Sequence, residues 1–497
     1  MGLPEKPYTQ AEIIERLGEY ARLDADPYSG KLFTIAFEPG VEELRKLSHQ
    51  AFTMFMDKNF LDFTEFRGPV KLEKEVIDIA KSLMNAGEEA VGTFTFGGTE
   101  SVFLAVKAAR DQFFIKKGFQ IPDIVMPVTG HPCYEKAAEY MGMNLIRVPI
   151  NEETLEGDPE AIRAAVTENT AMIVGSVPNW PFGTLDPIEE FAQIAEENDT
   201  WFHVDACVGG FILPLLRKLG EPIPVFDFTI PGVSSISMDP HKFAYSSIGA
   251  SIVLFRKSFS KLLSQYVNLR WPGYPIVNPG VLSTRSAGPV AATWAALHFL
   301  GEEGYLDLAR RLLQARNQIT EGLSKMGFRI MGRPRSPIVA FTSEEVNLFT
   351  LSDALLNKGW YVNPQRGIAH MNIPRSIHLT VTPIHDQMAA QFLKDLEETK
   401  TEVAKVPPSE IEGMAKGFGM IMGMTAGDMD YEAMRQIMGK VEENLELFGP
   451  ELLKAFGMED EMPREMAMLN ELFDSIPPEI MELLVNYVVI EIFRKGL

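Results

Sequence analysis

Cysteine, positive charge and long apolar runs are all scarce in this chain of 497 residues. Its two cysteines, Cys133 and Cys207, cannot build a disulfide framework, so a reducing compartment such as the cytoplasm is expected. The chain has 46 basic against 68 acidic residues and a formal net charge of −22. This balance argues against nucleic acid or an anionic membrane as the main partner, because both require a basic surface.

No apolar stretch reaches the roughly 18 residues that a helix needs to span a bilayer, and the first residues lack the apolar core of a secretion signal. Residues 479–494 are strongly apolar, but Glu482, Asn486 and Glu491 interrupt them. We therefore predict no transmembrane segment. The residues from about 431 onward are expected to be helical and to pack on the protein or on a partner subunit. The apolar stripe that would make this contact includes Ile480, Leu484, Tyr487, Ile490 and Ile492.

A chain of this length is too long for one simple core, so several domains are expected. The pattern divides it into an N-terminal helical segment (1–60), a large domain (61–305), a small α+β domain (306–405) and a methionine-rich helical extension (406–497). From Asp123 to Pro187 strands and helices alternate, which indicates a mostly parallel sheet covered on both faces. The predicted fold class is therefore α/β, with the smaller domain following it.

The stretch between His203 and Lys242 contains the residues that indicate chemistry. Residues 200–204 read as a buried parallel strand that ends at Asp205, and Lys242 closes an Asp-Pro-His-Lys run. A pyridoxal phosphate (PLP) enzyme needs a lysine that tethers the cofactor and a carboxylate that keeps the ring nitrogen protonated. Taken singly, Asp205 is more simply a capping residue and Lys242 a surface lysine. Their pairing, with His241 before the lysine, predicts a PLP site with no metal.

Two further features fit such a site but are open to simpler interpretations. A Gly-Gly-Thr turn at 97–99 begins a helix, and its free N–H groups would suit the cofactor's phosphate. Thr99 with Glu100 could instead form a capping box. His131 follows a strand end, where it could stack on the cofactor ring or merely begin a helix.

Together these runs resemble the group II decarboxylase superfamily of fold-type I PLP enzymes, and within it the sphingosine-1-phosphate lyases. The resemblance extends over roughly residues 28–430. It rests on Gly-Gly-Thr-Glu-Ser at 97–101, Gly-His at 130–131, the run at 203–211, Asp-Pro-His-Lys at 239–242, residues 283–288 and the glycine- and methionine-rich run at 417–424.

The resemblance implies a homodimer with shared active sites and a role for each matching residue. Lys242 would form the Schiff base, Asp205 would hold the pyridinium nitrogen, and His131 would stack on the ring. Cys207 would pack under the opposite ring face. The phosphate would be held by Gly98, Thr99 and His241, and from the second subunit by Ser283 or Thr284.

Two departures from the lyase pattern lie near the substrate. Residues 56–63 replace an Asn-Pro-Leu-His-Pro-like segment, and Phe96 replaces a small hydroxyl residue.

The resemblance implies retro-aldol cleavage of a phosphorylated long-chain amino alcohol to an aldehyde and phosphoethanolamine. The alternative is a decarboxylase that releases CO2 from an L-amino acid. The run at 417–424 and Cys207 favour the lyase. An intact set of Lys242, Asp205 and His131 argues against a chain that has lost catalysis. Cations proposed for the substrate's anionic group are Lys58, Arg67, Arg285 and Arg366.

Overall fold

The computed structural model of the protein describes residues 2–368, 371–405, 463–475 and 478–495. A seven-stranded sheet lies at its centre, in the order β1-β7-β6-β5-β4-β2-β3. Neighbours from β3 to β6 are parallel, and β7 is antiparallel to both β6 and β1, so the sheet is mostly parallel, as predicted. Its strands are Val91–Thr95 (β1), Asp123–Pro127 (β2), Asn144–Val148 (β3), Thr170–Ser176 (β4), Trp201–Asp205 (β5), Val233–Met238 (β6) and Ser251–Phe255 (β7).

Helices cover both faces of this sheet because its central strands are apolar on both sides. Strands β4, β5 and β7 are buried along their whole length, and a separate apolar cluster lies on each face. The helices of this part of the chain are Arg67–Leu83 (α3), Gly98–Lys117 (α4), Cys133–Met141 (α5), Pro159–Ala165 (α6), Ile188–Glu197 (α7), Leu213–Lys218 (α8), Pro240–Phe243 (α9) and Ser258–Ser264 (α10). A two-stranded hairpin, Tyr266–Asn268 (β8) and Ile276–Asn278 (β9), follows α10. The turn residues at 270–288 predict a long loop, and β9 lies within it.

Two element boundaries differ from the sequence prediction for identifiable reasons. The apolar spacing predicts that helix α3 begins at Lys71, but it begins at Arg67. Pro69 is tolerated in the first turn, because the N–H that proline lacks would have no helical partner at that position. Strand β7 begins at Ser251 and not at Ile248. Tyr245 and Gly249 have φ angles of 56° and 91°, and these left-handed residues bend the chain into a loop before the strand can start.

A long helix, Gly288–Lys325 (α11), links the large part of the chain to the small one. The sequence predicts two helices here with a short break between them. The break lies at Gly301, where φ is 56°. The first half packs against α2 (Glu42–Phe55). The second half contributes Ala315, Ile319 and Leu323 to the small-domain core.

The small domain has the predicted order β-β-α-β-β-α around an antiparallel sheet, β10-β11-β13-β12. Its strands pack against two helices and a core of aromatic and aliphatic side chains. The elements are Arg329–Ile330 (β10), Ile338–Thr342 (β11), Leu348–Asn357 (α12), Asn363–Gln365 (β12), Ser376–Thr380 (β13), a 3-10 turn at Pro383–Asp386 and Ala389–Val403 (α13).

The N-terminal segment connects both parts. After the exposed helix Gln10–Ala21 (α1), the chain runs along the small sheet, where the Phe33 N–H donates to Tyr361 (2.8 Å) and the Phe33 carbonyl accepts from Thr380 (2.8 Å). The Phe33 ring stacks on His385 with their centroids 4.0 Å apart. Helix α2 then packs on α11, so this segment holds the small domain against the large one.

At the other end, Ala467–Ser475 (α14) packs on α12, and Pro478–Lys495 (α15) follows. Asp353 accepts from the N–H groups of Met466 (2.9 Å) and Ala467 (2.7 Å), which begin α14. Arg375 pairs with Asp474 (2.6 Å) and Glu471 (2.8 Å). The predicted helices and packing are therefore present at 467–475. The run at 417–424 and the rest of 406–462 lie outside the described residues.

In α15 one member of the predicted apolar stripe lies on the exposed side. Val488 and Glu491 are buried, whereas Ile490 is exposed. Residues three apart share a helix face, so burial of 488 and 491 turns residue 490 outward. Across the described ranges, no helix is both long enough and apolar enough to cross a membrane.

The ion pairs at Arg375 should stabilise the attachment of α14. In an Arg375→Met variant, Glu471, which is only 3% exposed, loses its charged partner, and the free energy of unfolding should fall by about 1–3 kcal/mol. Arg366→Met is the matched control, because Arg366 is more exposed and makes one long pair with Asp474 (3.4 Å). Urea unfolding measures both; equal effects would contradict this account.

His385 should make stability depend on pH. Burial lowers its pKa to about 3, below the value of about 6.5 in an unfolded chain. The unfolded state therefore binds more protons between these values, and stability is lost as the pH falls through that window, by roughly 3 kcal/mol between pH 6.5 and 4. His385→Gln should flatten the profile of melting temperature against pH. His49→Gln, at an exposed position, should not.

Candidate active site

A cavity of about 440 Å³ lies at the carboxyl ends of the central parallel strands, beside the first turn of α4. This is the edge at which α/β sheets bind ligands. The cavity brings together every predicted site residue except Ser283, which is exposed elsewhere on the loop after β9. The predicted residues that line it are Gly98, Thr99, His131, Asp205, Cys207, His241 and Lys242.

Asp205, the last residue of β5, is a buried carboxylate surrounded by neutral donors. Its oxygens accept from the Tyr134 hydroxyl (3.2 Å), the Cys207 N–H (3.1 Å) and the Ser237 hydroxyl (3.4 Å). It is 7% exposed and forms no ion pair within the part of the chain that the structure describes. A buried carboxylate with no cation is suited to a positively charged ligand group.

A directed row of hydrogen bonds leads to Asp205. The carboxylate can only accept, so the Ser237 hydroxyl donates its one proton to Asp205 (3.4 Å) and accepts from Nε2 of His203 (3.2 Å). In a neutral ring Nδ1 then carries no proton and accepts from Ser235 (2.7 Å). Ser235 in turn accepts from the indole N–H of Trp201 (2.8 Å). Burial lowers the pKa of His203 to about 4, so the ring stays neutral, as this arrangement requires.

The alternation expected along β5 is confirmed. Ser237 contacts His203, the Cys207 thiol (3.3 Å) and Asp205, so all three side chains share one face of the strand. Ser235 and Ser237 were not predicted as site residues. Their signal was a pair of alternating hydroxyls in β6, a strand that also contains Ser234 and that pairs with β5 in register from His203 to Asp205.

Lys242 lies on the short helix α9, directly after β6. Its ammonium is 3.0 Å from Asp239, a carboxylate only 2% exposed. Burial opposes ionisation of Asp239, but the charges of Lys242 and His241 keep its pKa below the ordinary value. Burial also opposes the charge on Lys242, yet Asp239 raises the pKa of that amine above its usual range. Asp239 belongs to the Asp-Pro-His-Lys run but was not predicted as a site residue. The structure shows that it pairs with Lys242.

The turn before α4 is open to an anion. Gly97 is the N-cap and no side chain caps the helix, so the predicted Thr99–Glu100 capping box is absent. Glu100 instead accepts from the N–H groups of Phe96 (2.6 Å) and Val281 (2.6 Å). A Cβ atom on Gly98 would lie 2.8 Å from an Asp239 oxygen and 3.2 Å from Cys207, so only glycine fits. The free N–H groups of this turn suit a phosphate.

His131 lies in the turn between β2 and α5, and its Nδ1 accepts from the Cys133 N–H (3.2 Å). Burial lowers its pKa, so the imidazole is neutral at neutral pH, and its one proton is on Nε2 because Nδ1 accepts. His241 accepts from the Ala250 N–H (3.3 Å) and lies 3.6 Å from Asp239.

These residues fit PLP. Asp205 supplies a buried anion for the ring nitrogen. The turn at Gly97–Gly98 supplies N–H groups, with no room for a Cβ at Gly98, and Lys242 supplies a half-buried amine. When bound, PLP provides an electron sink for bond cleavage at the substrate's α-carbon.

Part of the cavity wall was not predicted from the sequence. Trp180 lines it and stacks on His378 of β13, with centroids 4.6 Å apart. The Lys242 ammonium lies 5.9 Å from the Trp180 ring centre. Ile35, Phe37 and Ile248 complete the apolar side. These residues come from segments far apart in the sequence, and no local sequence pattern predicts that they line a cavity.

None of the four proposed substrate cations, Lys58, Arg67, Arg285 and Arg366, lines the cavity of this chain. Arg285 is buried, donates to the Phe94 carbonyl and faces Glu73 (3.6 Å). Arg366 pairs with Asp474, outside the cavity. Phe96 also lies outside the lining and contacts the Gly249 turn.

The role of Asp205 can be tested with an isosteric change. Asp205→Asn should retain the fold and the cofactor, which borohydride should still fix onto Lys242. Turnover should fall by about 10²-fold or more, because an amide cannot keep the ring nitrogen protonated. Asp123→Asn, at the opposite end of β2, two strands away from β5, is the control and should be near wild type. Near-normal turnover of Asp205→Asn, measured with stopped-flow absorbance, would refute the role.

The comparisons with known proteins agree with this geometry. The pyridoxal-dependent decarboxylase conserved domain matches residues 36–344. Sphingosine-1-phosphate lyase 1 of Rattus norvegicus is 36% identical over 439 residues, 88% of this chain and 75% of that protein. Sphingosine-1-phosphate lyase of Arabidopsis thaliana is 37% identical over 431 residues, 85% of this chain and 77% of that protein.

Among solved structures, the sphingosine-1-phosphate lyase of Burkholderia pseudomallei has a TM-score of 0.77 and 31% identity, and covers 86% of this chain and 98% of its own. Lactobacillus brevis glutamate decarboxylase, at 22% identity, has a TM-score of 0.71 over 82% of this chain and 97% of its own, and shows the fold alone. The expected fold-type I architecture and the PLP cofactor are thereby confirmed. The chain belongs to the pyridoxal-dependent decarboxylase family, in the group that contains the sphingosine-1-phosphate lyases, and is a PLP-dependent lyase.

Proposed function

We propose that the protein cleaves the Cα–Cβ bond of a phosphorylated long-chain amino alcohol, giving an aldehyde and phosphoethanolamine. The observation that carries this proposal is the identity of 36–37% to proteins named sphingosine-1-phosphate lyases across 85–88% of the chain. The decarboxylase structures that it resembles are less similar, at 22% identity or below.

The residues of the cavity suit a retro-aldol reaction. Asp205 would keep the ring nitrogen of bound PLP protonated, so that the cofactor could stabilise the electron pair left at the α-carbon. Lys242, freed as an amine when the substrate takes its place on the cofactor, would accept the proton of the β-hydroxyl as the Cα–Cβ bond breaks and the β-carbon becomes the aldehyde carbon. The same lysine would return that proton to the α-carbon, which completes phosphoethanolamine. His131, whose neutral ring keeps its proton on Nε2, would stack on the cofactor ring.

The apolar wall of the cavity favours a substrate with a hydrocarbon portion. Ile35, Phe37, Trp180, Val208 and Ile248 line one cavity with the polar residues described above. Pockets built in this way bind apolar ligands and orient them through a few polar groups. An amino-acid decarboxylase remains the alternative, and a product assay separates the two.

The segment at 56–63, which departs from the lyase pattern, packs against the loop at 283–288. That loop is the one expected to reach a second subunit. The Lys58 carbonyl accepts from Ala287 (2.8 Å), Asn59 forms a β-bridge with Ser286, and the buried Phe60 lies under Arg285. This packing holds residues 283–288 beside the large domain. Residues 56–63 therefore have a structural role, which does not depend on the substrate that is bound.

We also propose a cytoplasmic homodimer in which Ser283 or Thr284 reaches the phosphate of the partner's cofactor. Both residues are exposed, and so are apolar side chains nearby in the same loop, Leu269, Tyr274 and Val281. Such a patch is typical of a surface that another subunit covers. Mixing inactive Lys242→Ala and Ser283→Ala/Thr284→Ala subunits should restore part of the activity, through the one native site in each mixed dimer. Absence of complementation in dimers verified by light scattering would contradict shared sites.

The substrate prediction is tested by product analysis. The PLP-loaded enzyme, incubated with a phosphorylated sphingoid base, should release a fatty aldehyde and phosphoethanolamine. A panel of L-amino acids should yield no CO2. Lys242→Ala is the control that must abolish the product. Release of CO2 without aldehyde would establish the decarboxylase alternative instead.

A further inference from the structure

A second cavity, of about 340 Å³, adjoins the active-site cavity. The two share a wall made by Ile35, Phe37, His241 and Ile248. The second cavity lies between the segment that leads into α2 and the loop that follows Lys242. It was not expected from the sequence, because its walls are more than 190 residues apart along the chain.

Backbone contacts hold this second cavity close to the reacting centre. The Tyr245 N–H donates to the Lys242 carbonyl (3.2 Å), and the Ser246 N–H donates to Pro240 (3.2 Å). The loop that forms one wall is therefore folded directly onto α9, which carries Lys242. A substrate group that extends from the α-carbon region past Ile248 would enter this second cavity.

The side chains around the second cavity are mainly apolar. Beside the shared wall they include Tyr28, Val41 and Leu44. Ile35 and Ile248 are 76% and 87% exposed, which is unusual for large aliphatic side chains that border a binding site. Apolar surface of this kind at a cavity wall gains free energy when a hydrocarbon covers it.

The charged groups of the second cavity offset one another. Arg45 lies over the Tyr28 ring, 4.1 Å from its centre, and the half-buried Glu38 accepts from the Gly40 N–H (2.9 Å). Glu38 and Arg45 carry opposite charges. The other titratable side chains that line the space are Tyr28, His49, His241 and Tyr245. One guanidinium balanced by one carboxylate gives no strong attraction for a dianionic phosphate, so the lining favours a neutral ligand.

We propose that the second cavity receives the aliphatic chain of the substrate, which passes between Ile35 and Ile248 from the active-site cavity. This inference rests on the proposed function, since it assigns the long chain of that substrate to a place. The segment at 35–44 and the loop at 245–248 then determine which chain lengths are accepted.

The test fills the cavity and measures chain-length dependence. For phosphorylated amino alcohols of increasing alkyl length, kcat/KM of the wild type should rise by about 2- to 4-fold per buried methylene. Ala36→Trp, in the lining, should reduce the ratio of long-chain to short-chain kcat/KM by about tenfold or more. Val41→Phe provides a second, smaller obstruction. Ala11→Trp, on exposed α1, is the matched control and should keep the wild-type ratio.

A binding measurement keeps this test independent of the reaction. Calorimetry with short and long alkylamines, which have neither phosphate nor a β-hydroxyl, should show affinity rising with length in the wild type and not in Ala36→Trp. If the wild type cleaves no phosphorylated amino alcohol but alkylamines behave in this way, the proposed function fails and the chain site stands. If folded Ala36→Trp and Val41→Phe retain the wild-type dependence, the chain site is wrong. If Arg45→Met and Ala36→Trp weaken all lengths equally, the cavity holds the phosphate and the inference is overturned.

Discussion

The hydrogen bond from Ser237 to Asp205 is the interaction on which the active site depends. It is the last in a row that begins at Trp201, and because the carboxylate can only accept, it fixes the direction of every hydrogen bond back to the indole. The row exists because β5 and β6 are parallel and in register, with His203 beside Ser235 and Asp205 beside Ser237. A buried carboxylate supported only by neutral donors keeps its charge available for the ring nitrogen.

A second carboxylate performs a different task a short distance away. Asp239 pairs with Lys242 and lies 3.6 Å from His241, whereas Asp205 pairs with no cation among the described residues. The lysine's charge is therefore held by Asp239, and Asp205 is left for the cofactor. If one carboxylate had to serve both cations, the ring nitrogen of the cofactor and the Lys242 ammonium would compete for it. Gly98, pressed against Asp239 and Cys207, brings the phosphate-binding turn to the same place.

The small domain contributes to the site through packing, and none of its described residues lines the cavity. His378 stacks on Trp180 in the cavity wall, and His385 stacks on Phe33 of the N-terminal segment. Burial lowers the pKa of both histidines, to about 4 and about 3, so both contacts are between uncharged rings near neutral pH. The N-terminal segment that makes one of these contacts also supplies Ile35 and Phe37 to the cavity. Domain packing and the shape of the substrate site are thus coupled.

Much of the fold and of the cofactor site could be predicted from the sequence. Strand alternation gave the mostly parallel sheet, and Asp205, Lys242, His131 and the glycine turn meet in one cavity because strand ends meet at one edge of such a sheet. These features are local, so residue type and spacing carry them. Helix and strand ends were less predictable, since single turn residues such as Tyr245 and Pro69 decided them.

The substrate side of the site was decided only by tertiary structure. Trp180, Phe37 and Ile248 are apolar residues in three separate segments, and none has a spacing that marks it as functional. Arg285 and Arg366 looked suitable for an anion, yet both are engaged with carboxylates away from the cavity. Long-range packing determines which side chains face a cavity, and single-sequence patterns do not record it. The sequence by itself therefore determined the chemistry at the cofactor, and the folded chain determined the space left for the substrate.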